Sequence, residues 1–425
     1  MTNPELLQLL RSEVIPAIGC TEPIAVALCT ARATELLGAE PDSITVHMSK
    51  NVYKNALAVG IPNTGMTGLP IAIALGATVG RSEYMLEVLR DATPEAVAYA
   101  KAYMLRVPAT IKVDYEAPSL LYIHVEVSKE GQMAQATIMD EHTHFVEPGT
   151  RKQESISIGE IETKENTLSL RRVYDFAASV DTAELTFLLE GAQMNTAAAE
   201  TSFADQYGHG LGRLLRANTL TATPEMEKLF GNTLFTKIIS YTCGACDARM
   251  SGAMVQVMSN SGSGNQGISC SIPVYLYAKE NNCTEEQTLR ALALSNLTVI
   301  YIKQSLGRLS ALCGCVVAAT GSAAGITYLM GGTYDEITYA IKNMIANISG
   351  MICDGAKPGC ALKVTSGVAT AIFSAYLAMQ HSYADSTEGI VEDDIDRTIR
   401  NLTRIGHDGM KVTDDLILDI MTHKQ

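Results

Sequence analysis

From residue 168 to the end, this 425-residue chain reads as one helix after another, and several of those helices carry no polar face. Runs such as Val316-Val317-Ala318-Ala319 are too continuously apolar for a surface position. A helix that is apolar all round has to be enclosed by others. The pattern therefore demands a layered helical body with central helices, expected at 168–178, 182–198, 205–215, 225–242, 268–279, 285–304, 311–329, 334–348 and 364–379, with no strand among them. Aromatic residues are only 6% and Trp is absent, while Ala, Gly, Leu and Met abound, which suits helices in close approach.

The N-terminal third follows another period. Helices are expected at 6–15 and 24–37, the second opened by Gly19-Cys20-Thr21-Glu22-Pro23 with Thr21 as its N-cap. Alternating segments at 43–49, 110–114, 120–127 and 133–139 predict strands, interleaved with helices at 66–75 and 94–104. The polar stretch 150–164 reads as a linker. The fold class is thus α+β, a large all-helical catalytic domain plus a smaller α/β domain. The expected division is residues 1–40 as N-terminal helices carrying the Cys20 motif and packed on the catalytic domain, 41–150 as the α/β domain, and 165–425 as the helical domain.

A formal net charge of −14 with no cluster of Lys and Arg argues against a nucleic-acid partner. No apolar run is uninterrupted enough to suggest a bilayer crossing, and the opening Met1-Thr2-Asn3-Pro4-Glu5 lacks the cationic start of a signal peptide. The expectation is a soluble, cytoplasmic protein whose ten cysteines stay reduced.

Those cysteines are the chemically suggestive residues. Cys313 and Cys315 open an apolar helix, and Cys353 and Cys360 flank the Gly- and Pro-bearing run Asp354-Gly355-Ala356-Lys357-Pro358-Gly359. Backbone there can fold around an inorganic core without breaking helical hydrogen bonds. Three thiolates such as Cys313, Cys353 and Cys360 can hold three irons of a cubane and leave the fourth open as a Lewis acid. Free cysteines are also commonly small buried hydrophobes, which is how Cys29, Cys270 and Cys283 read. Cys243-Gly244-Ala245-Cys246 is a short pair that competes as half of a zinc site or a redox dithiol, although no second half-site matches it.

The run from Ser259 to Gly267 carries Ser261, Ser263 and Asn265 into a helix start, a donor-rich place for a phosphate or a carboxylate. Ser49-Lys50-Asn51-Val52-Tyr53-Lys54-Asn55 offers Asn51 and Lys54 for a substrate carboxylate, against the plainer reading of solvated lysines. His142 and His144 would share one face of a strand, as a ligand pair or as structural residues.

At Ile18-Gly19-Cys20-Thr21-Glu22-Pro23, Ser259–Gly267 and Cys353–Cys360 the sequence resembles the L-cysteine desulfidase branch of the iron–sulfur-dependent L-serine dehydratase superfamily, over nearly the whole chain. The resemblance implies a [4Fe-4S] cluster on Cys313 (or, two residues on, Cys315), Cys353 and Cys360, with Cys20 as the catalytic residue. It also implies conversion of L-cysteine and water to hydrogen sulfide, pyruvate and ammonia, the open iron taking the substrate by carboxylate and thiol. Cys20, at a helix N-terminus that would lower its pKa, would handle the α-proton. The Ser-Ser-Ser-His-Thr run of the serine-specific branch is absent, as is the terminal cysteine of some of its members. The rivals are an L-serine dehydratase with the same cluster, a pyridoxal-phosphate lyase using Lys357 or Lys363, and a non-enzymatic iron–sulfur redox sensor. The implied partners are a small amino-acid substrate and further copies of the chain, with no nucleic acid or membrane.

Overall fold

The computed structural model describes residues 1–147, 168–221 and 223–424, so the expected linker at 150–164 lies outside the described residues. In chain order the helices are α1 (Asn3–Glu13), α2 (Thr21–Leu37), α3 (Lys50–Ala56), α4 (Leu69–Thr78), α5 (Pro94–Arg106), α6 (Leu170–Ser179), α7 (Thr186–Ala204), α8 (Leu211–Thr221), α9 (Pro224–Phe230), α10 (Leu234–Met250), α11 (Gly264–Glu280), α12 (Glu285–Leu306), α13 (Gly314–Leu329), α14 (Tyr334–Ile348), α15 (Cys360–Met379), α16 (Ile395–Arg404) and α17 (Lys411–Thr422). The strands are β1 (Pro16–Ile18), β2 (Ser43–Ser49), β3 (Thr110–Asp114), β4 (Tyr122–Lys129), β5 (Gln132–Met139), β6 (Phe145–Val146) and β7 (Gln256–Met258). The fold is α+β, a large helical part beside a smaller sheet-bearing one.

The smaller part is a five-stranded sheet in the order β3-β2-β4-β5-β6. β2 and β3 are parallel, joined through α3, α4 and α5, and every other pair is antiparallel. Ile44, Val46, Ile123, Val125, Val127 and Ile138 project from it into a core closed by α2 and α4. α2 therefore covers the sheet, whereas α1 buries Leu6 and Leu10 in the helical body. That corrects the expectation that residues 1–40 pack together on the catalytic domain. The chain passes from one core to the other around Cys20: Val14 and Cys20 belong to the helical core, Ala17 and Ile24 to the other.

In the helical part α10, α11, α12, α13 and α15 pack on one another as the apolar patterning requires. Small residues set the spacing: a Cβ on Gly321 of α13 would lie 2.5 Å from the Ser295 carbonyl oxygen of α12. The expected helix 225–242 breaks between α9 and α10, where Gly231 takes φ +41° and Thr233 caps the new start. The body is not free of strands, either. β7 pairs antiparallel with β1, Ala17 opposite Val257, and stitches the N-terminal segment to the helical body. A three-residue strand is too short to show an alternating pattern. α15 is, by length and composition, apolar enough to cross a bilayer, contrary to the expectation of no such run; here it packs against α10, α13 and α14.

Candidate active site

Gly19 makes the turn from β1 into α2 at φ +75°, where a Cβ would fall 2.7 Å from Pro62 Cγ. Cys20 follows as N-cap and Thr21, expected in that role, is the first helical residue. The Cys20 side chain is 3% exposed, and its thiol donates to Glu22 Oε2 at 3.2 Å. Glu22 also accepts from Thr21 Oγ1 at 3.0 Å and, on Oε1, from Asn55 Nδ2 at 3.0 Å. His142 Nε2, in a buried ring, stands 3.9 Å from the same Oε1 and has no hydrogen-bond partner.

The electrostatics reverse one expectation. Burial and the Glu22 charge push the Cys20 pKa well up, so the helix N-terminus does not make it an acidic thiol. For Glu22 burial acts against the charge, but His142 and the Cys20 thiol outweigh it and hold the carboxyl at about 2. Cys20 thus faces a permanently ionised acceptor. His142 and His144 lie in the turn after β5, not in a strand: His142 faces Glu22, and His144 meets the Met139 carbonyl at 3.1 Å.

The Ser/Gly run is wired to the N-terminal segment. The Ser259 amide and hydroxyl both donate to the Ile15 carbonyl, and the Ser261 amide donates to that of Glu13. Ser261 and Gly262 both have positive φ, and a Cβ on Gly262 would lie 2.7 Å from His142 Nδ1. Ser261 donates to Asn260, and Ser263 is the N-cap of α11, which starts four residues earlier than the 268 expected. Asn265 Oδ1 accepts from Arg249 Nη1 at 2.9 Å. Beside Ser261 a cavity of about 470 Å³ opens between the two parts, lined also by Glu13, Lys303, Arg308, Glu141 and His407.

The cysteines form the third component. The Cys313 amide donates to the Met351 carbonyl at 3.0 Å and the Cys353 amide to that of Ala311 at 2.6 Å, closing a bridge between Leu312 and Ile352. Cys313, opposite Met351, and Cys353, opposite Ala311, are thereby brought to one short bridge although forty residues apart in sequence. Cys360 opens α15, its thiol 3.8 Å from the Gly355 carbonyl oxygen, and its ionisation is opposed by charge on both Cys353 and Cys313. Cys315 turns its thiol to the Lys363 carbonyl at 3.2 Å and to Met351 Sδ. The hydrogen bond from Cys315 outweighs burial and lowers the Cys313 pKa to about 7, while burial lifts Cys360 to about 12.

No group of three or more His, Cys, Asp or Glu among the described residues is spaced for a single metal ion. A cubane asks for sulfurs farther apart, roughly 6–7 Å. Three mutually interacting thiols on helix starts and a Gly-bearing loop, with Lys54 and Lys363 supplying positive charge nearby, are a donor set that fits such a cluster.

One short helix joins these components. On α3, Lys54 reaches the Cys353 carbonyl at 3.4 Å and the next residue, Asn55, holds Glu22. Lys54 is 2% exposed and ion-paired with Asp414 of α17, which also binds Asn51. Asn51 and Lys54 are thus committed to protein partners at the edge of the site. Lys357 and Lys363 both pair with Asp354 inside the cysteine loop. Cys243 and Cys246 are fully buried in the middle of α10.

Sequence reading passed over Arg249 and Asp414, which carried no local signal. Glu22 stood inside the quoted motif but read as an ordinary first-turn acid, and His142 was paired with His144 and not with Glu22.

The chain matches the model for the Serine dehydratase alpha chain over residues 83–419 and belongs to that family. Among its relatives are proteins named UPF0597 protein. That of Phocaeicola vulgatus is 56% identical over 99% of this chain and 98% of its own length. Those of Porphyromonas gingivalis and Oleidesulfovibrio alaskensis are 48% and 42% identical, each over the full length of this chain and at least 99% of their own.

Proposed function

We propose that this protein is an iron–sulfur lyase that eliminates hydrogen sulfide from L-cysteine, leaving 2-aminoacrylate that hydrolyses to pyruvate and ammonia. The observation that carries the reading is the α3 bridge, with Lys54 on the Cys353 loop and Asn55 on the Cys20–Glu22 pair. It joins a candidate proton acceptor to a three-thiol site.

Cys313, Cys353 and Cys360 would hold the cluster, with Cys315 beside Cys313 and also in contact with the Lys363 carbonyl. When bound, a three-thiolate [4Fe-4S] cluster supplies an iron without a protein ligand, a Lewis acid for the departing sulfur. The remaining steps fall to side chains. The Cys20 thiol, oriented by its hydrogen bond to Glu22 Oε2, would handle the substrate's α-proton. Asn55 and Thr21 fix the carboxylate, and burial of the whole group excludes bulk water from the exchange.

L-Serine is the second reading, favoured by the family to which the chain belongs; the missing Ser-Ser-Ser-His-Thr run favours cysteine. A pyridoxal-phosphate lyase is disfavoured because Lys357 and Lys363 are both engaged in ion pairs with Asp354.

The test is anaerobic reconstitution with iron and sulfide, followed by assay of pyruvate and sulfide from L-cysteine and of pyruvate from L-serine. Cysteine should be turned over and serine poorly. Cys20→Ala should keep its iron and lose most turnover, and Cys360→Ala should lose both. Turnover without iron would refute the reading.

A further inference from the structure

Arg249, near the C-terminal end of α10, is 1% exposed and among the largest fully buried side chains of the molecule. A buried charge is normally paired, and a guanidinium cannot escape the cost by losing its proton. Yet among the described residues Arg249 makes no ion pair. Nη1 donates to the neutral oxygen of Asn265 at 2.9 Å and touches Met250 Sδ at 3.4 Å, and Nε has no partner. The nearby carboxylates are engaged elsewhere. Asp247, two residues before it, accepts from the His209 amide, and Glu22 is occupied by Cys20, Thr21 and Asn55.

The position of this charge is as specific as its isolation. The guanidinium lies across the first residue of α11, so closely that a Cβ on Gly264 would come within 2.3 Å of Nε. The first-turn amides of a 17-residue helix and a cation are therefore presented together, a combination that suits an anion. Val257, which packs on the same glycine, is paired with Ala17, three residues before Cys20. The Arg249 charge is felt at Cys20 and at Cys246, and Cys246 in turn feels Cys360. The unpaired cation thus lies within electrostatic reach of Cys20 and of Cys246.

We propose that Arg249 and the α11 N-terminus bind the α-carboxylate of the amino-acid substrate, with Asn265 positioning the guanidinium. The assignment rests on the amino-acid lyase reading and adds a fixed point to it: a carboxylate held here presents Cα toward Cys20 and the side chain toward the cysteines. Asn265 acts through Arg249 and not as a direct ligand. Gly264 is required because any side chain would displace the guanidinium.

The experiment compares L-cysteine with cysteamine, which keeps the amine and thiol but lacks the carboxylate. Binding of each to anaerobically reconstituted protein is measured as competition against turnover and by calorimetry. Wild-type protein should prefer the carboxylate-bearing ligand by about 100-fold, and Arg249→Gln should reduce that preference to within about threefold while cysteamine affinity stays unchanged. If Arg249→Gln does not fold, Arg249→Lys keeps the charge without the planar fork, and a preference lowered by about tenfold or more supports the assignment. A preference undiminished in a folded variant overturns the assignment and leaves the lyase reading standing. Wild-type protein that binds neither ligand overturns both.

Discussion

Cys20 is held in its protonated form by burial and by a neighbouring carboxylate, so its reactivity depends on where its proton can go. Glu22 is the only acceptor that its thiol meets among the described residues. Replacing Glu22 with Gln should leave iron content unchanged and lower kcat by about 100-fold, the scale of a disturbed general acid–base group, because the carboxylate that orients the Cys20 thiol is lost. The same substitution has a signature in stability. With a folded pKa of about 2 against 4.5 in the unfolded chain, Glu22 contributes stability that is complete above 4.5 and is lost as pH falls through 2. Wild-type protein should lose about 2 kcal/mol between pH 5 and pH 3 that Glu22→Gln does not lose, measured by denaturant titration at each pH. Equal slopes in the two proteins would show that the carboxyl is not held ionised. Asn51, Lys54 and Cys20 were legible in the sequence as chemically suggestive residues, but the partner shared by Asn51 and Lys54 was not, because Asp414 lies 360 residues from Lys54.

At the scale of elements, four of the five strands of the sheet, all but the two-residue β6, and most helices followed from period alone. Ser43–Ser49 and Thr110–Asp114 have the limits expected, and so does Tyr334–Ile348. What period could not show was β7, too short to alternate, or the early start of α11, hidden in a Gly- and Ser-rich run of weak helix formers. Nor did it show the function of α17. That helix brings Asp414 to Lys54, whose ammonium is buried against the carbonyl of Cys353. Asp414→Ala strands a buried charge and should cost about 3–5 kcal/mol. Urea unfolding should detect that loss, with a parallel fall in iron retained after reconstitution. Asp415→Ala, which removes the more exposed partner of Lys50, should cost less than about 1 kcal/mol.

Taken whole, the molecule places its candidate site where two cores meet, at the point where the chain passes from the helical body to the sheet. The sequence identified the three motifs that converge there, and the convergence itself needed tertiary packing. Cys353 and Cys360 are only partly buried, in a loop near the surface. A cluster with one iron free of protein ligands, held by such a loop, is exposed to oxidants. Activity of reconstituted protein should therefore be lost in air and regained with iron, sulfide and reductant. Activity that survives air and iron chelation, but falls with carbonyl reagents, would point to pyridoxal phosphate.

The bridging helix α3 also bears on what family membership can convey. The part shared with the Serine dehydratase alpha chain runs from residue 83 to 419, and it contains all three cysteines of the proposed cluster. Cys20, Glu22, Lys54 and Asn55 all precede it. A protein can therefore match the family over that length and carry the cysteines while lacking the groups that would move protons beside them. The proposed cluster cysteines and the proposed proton-handling groups can thus be judged separately in a relative, the latter on the 82 residues that precede the match.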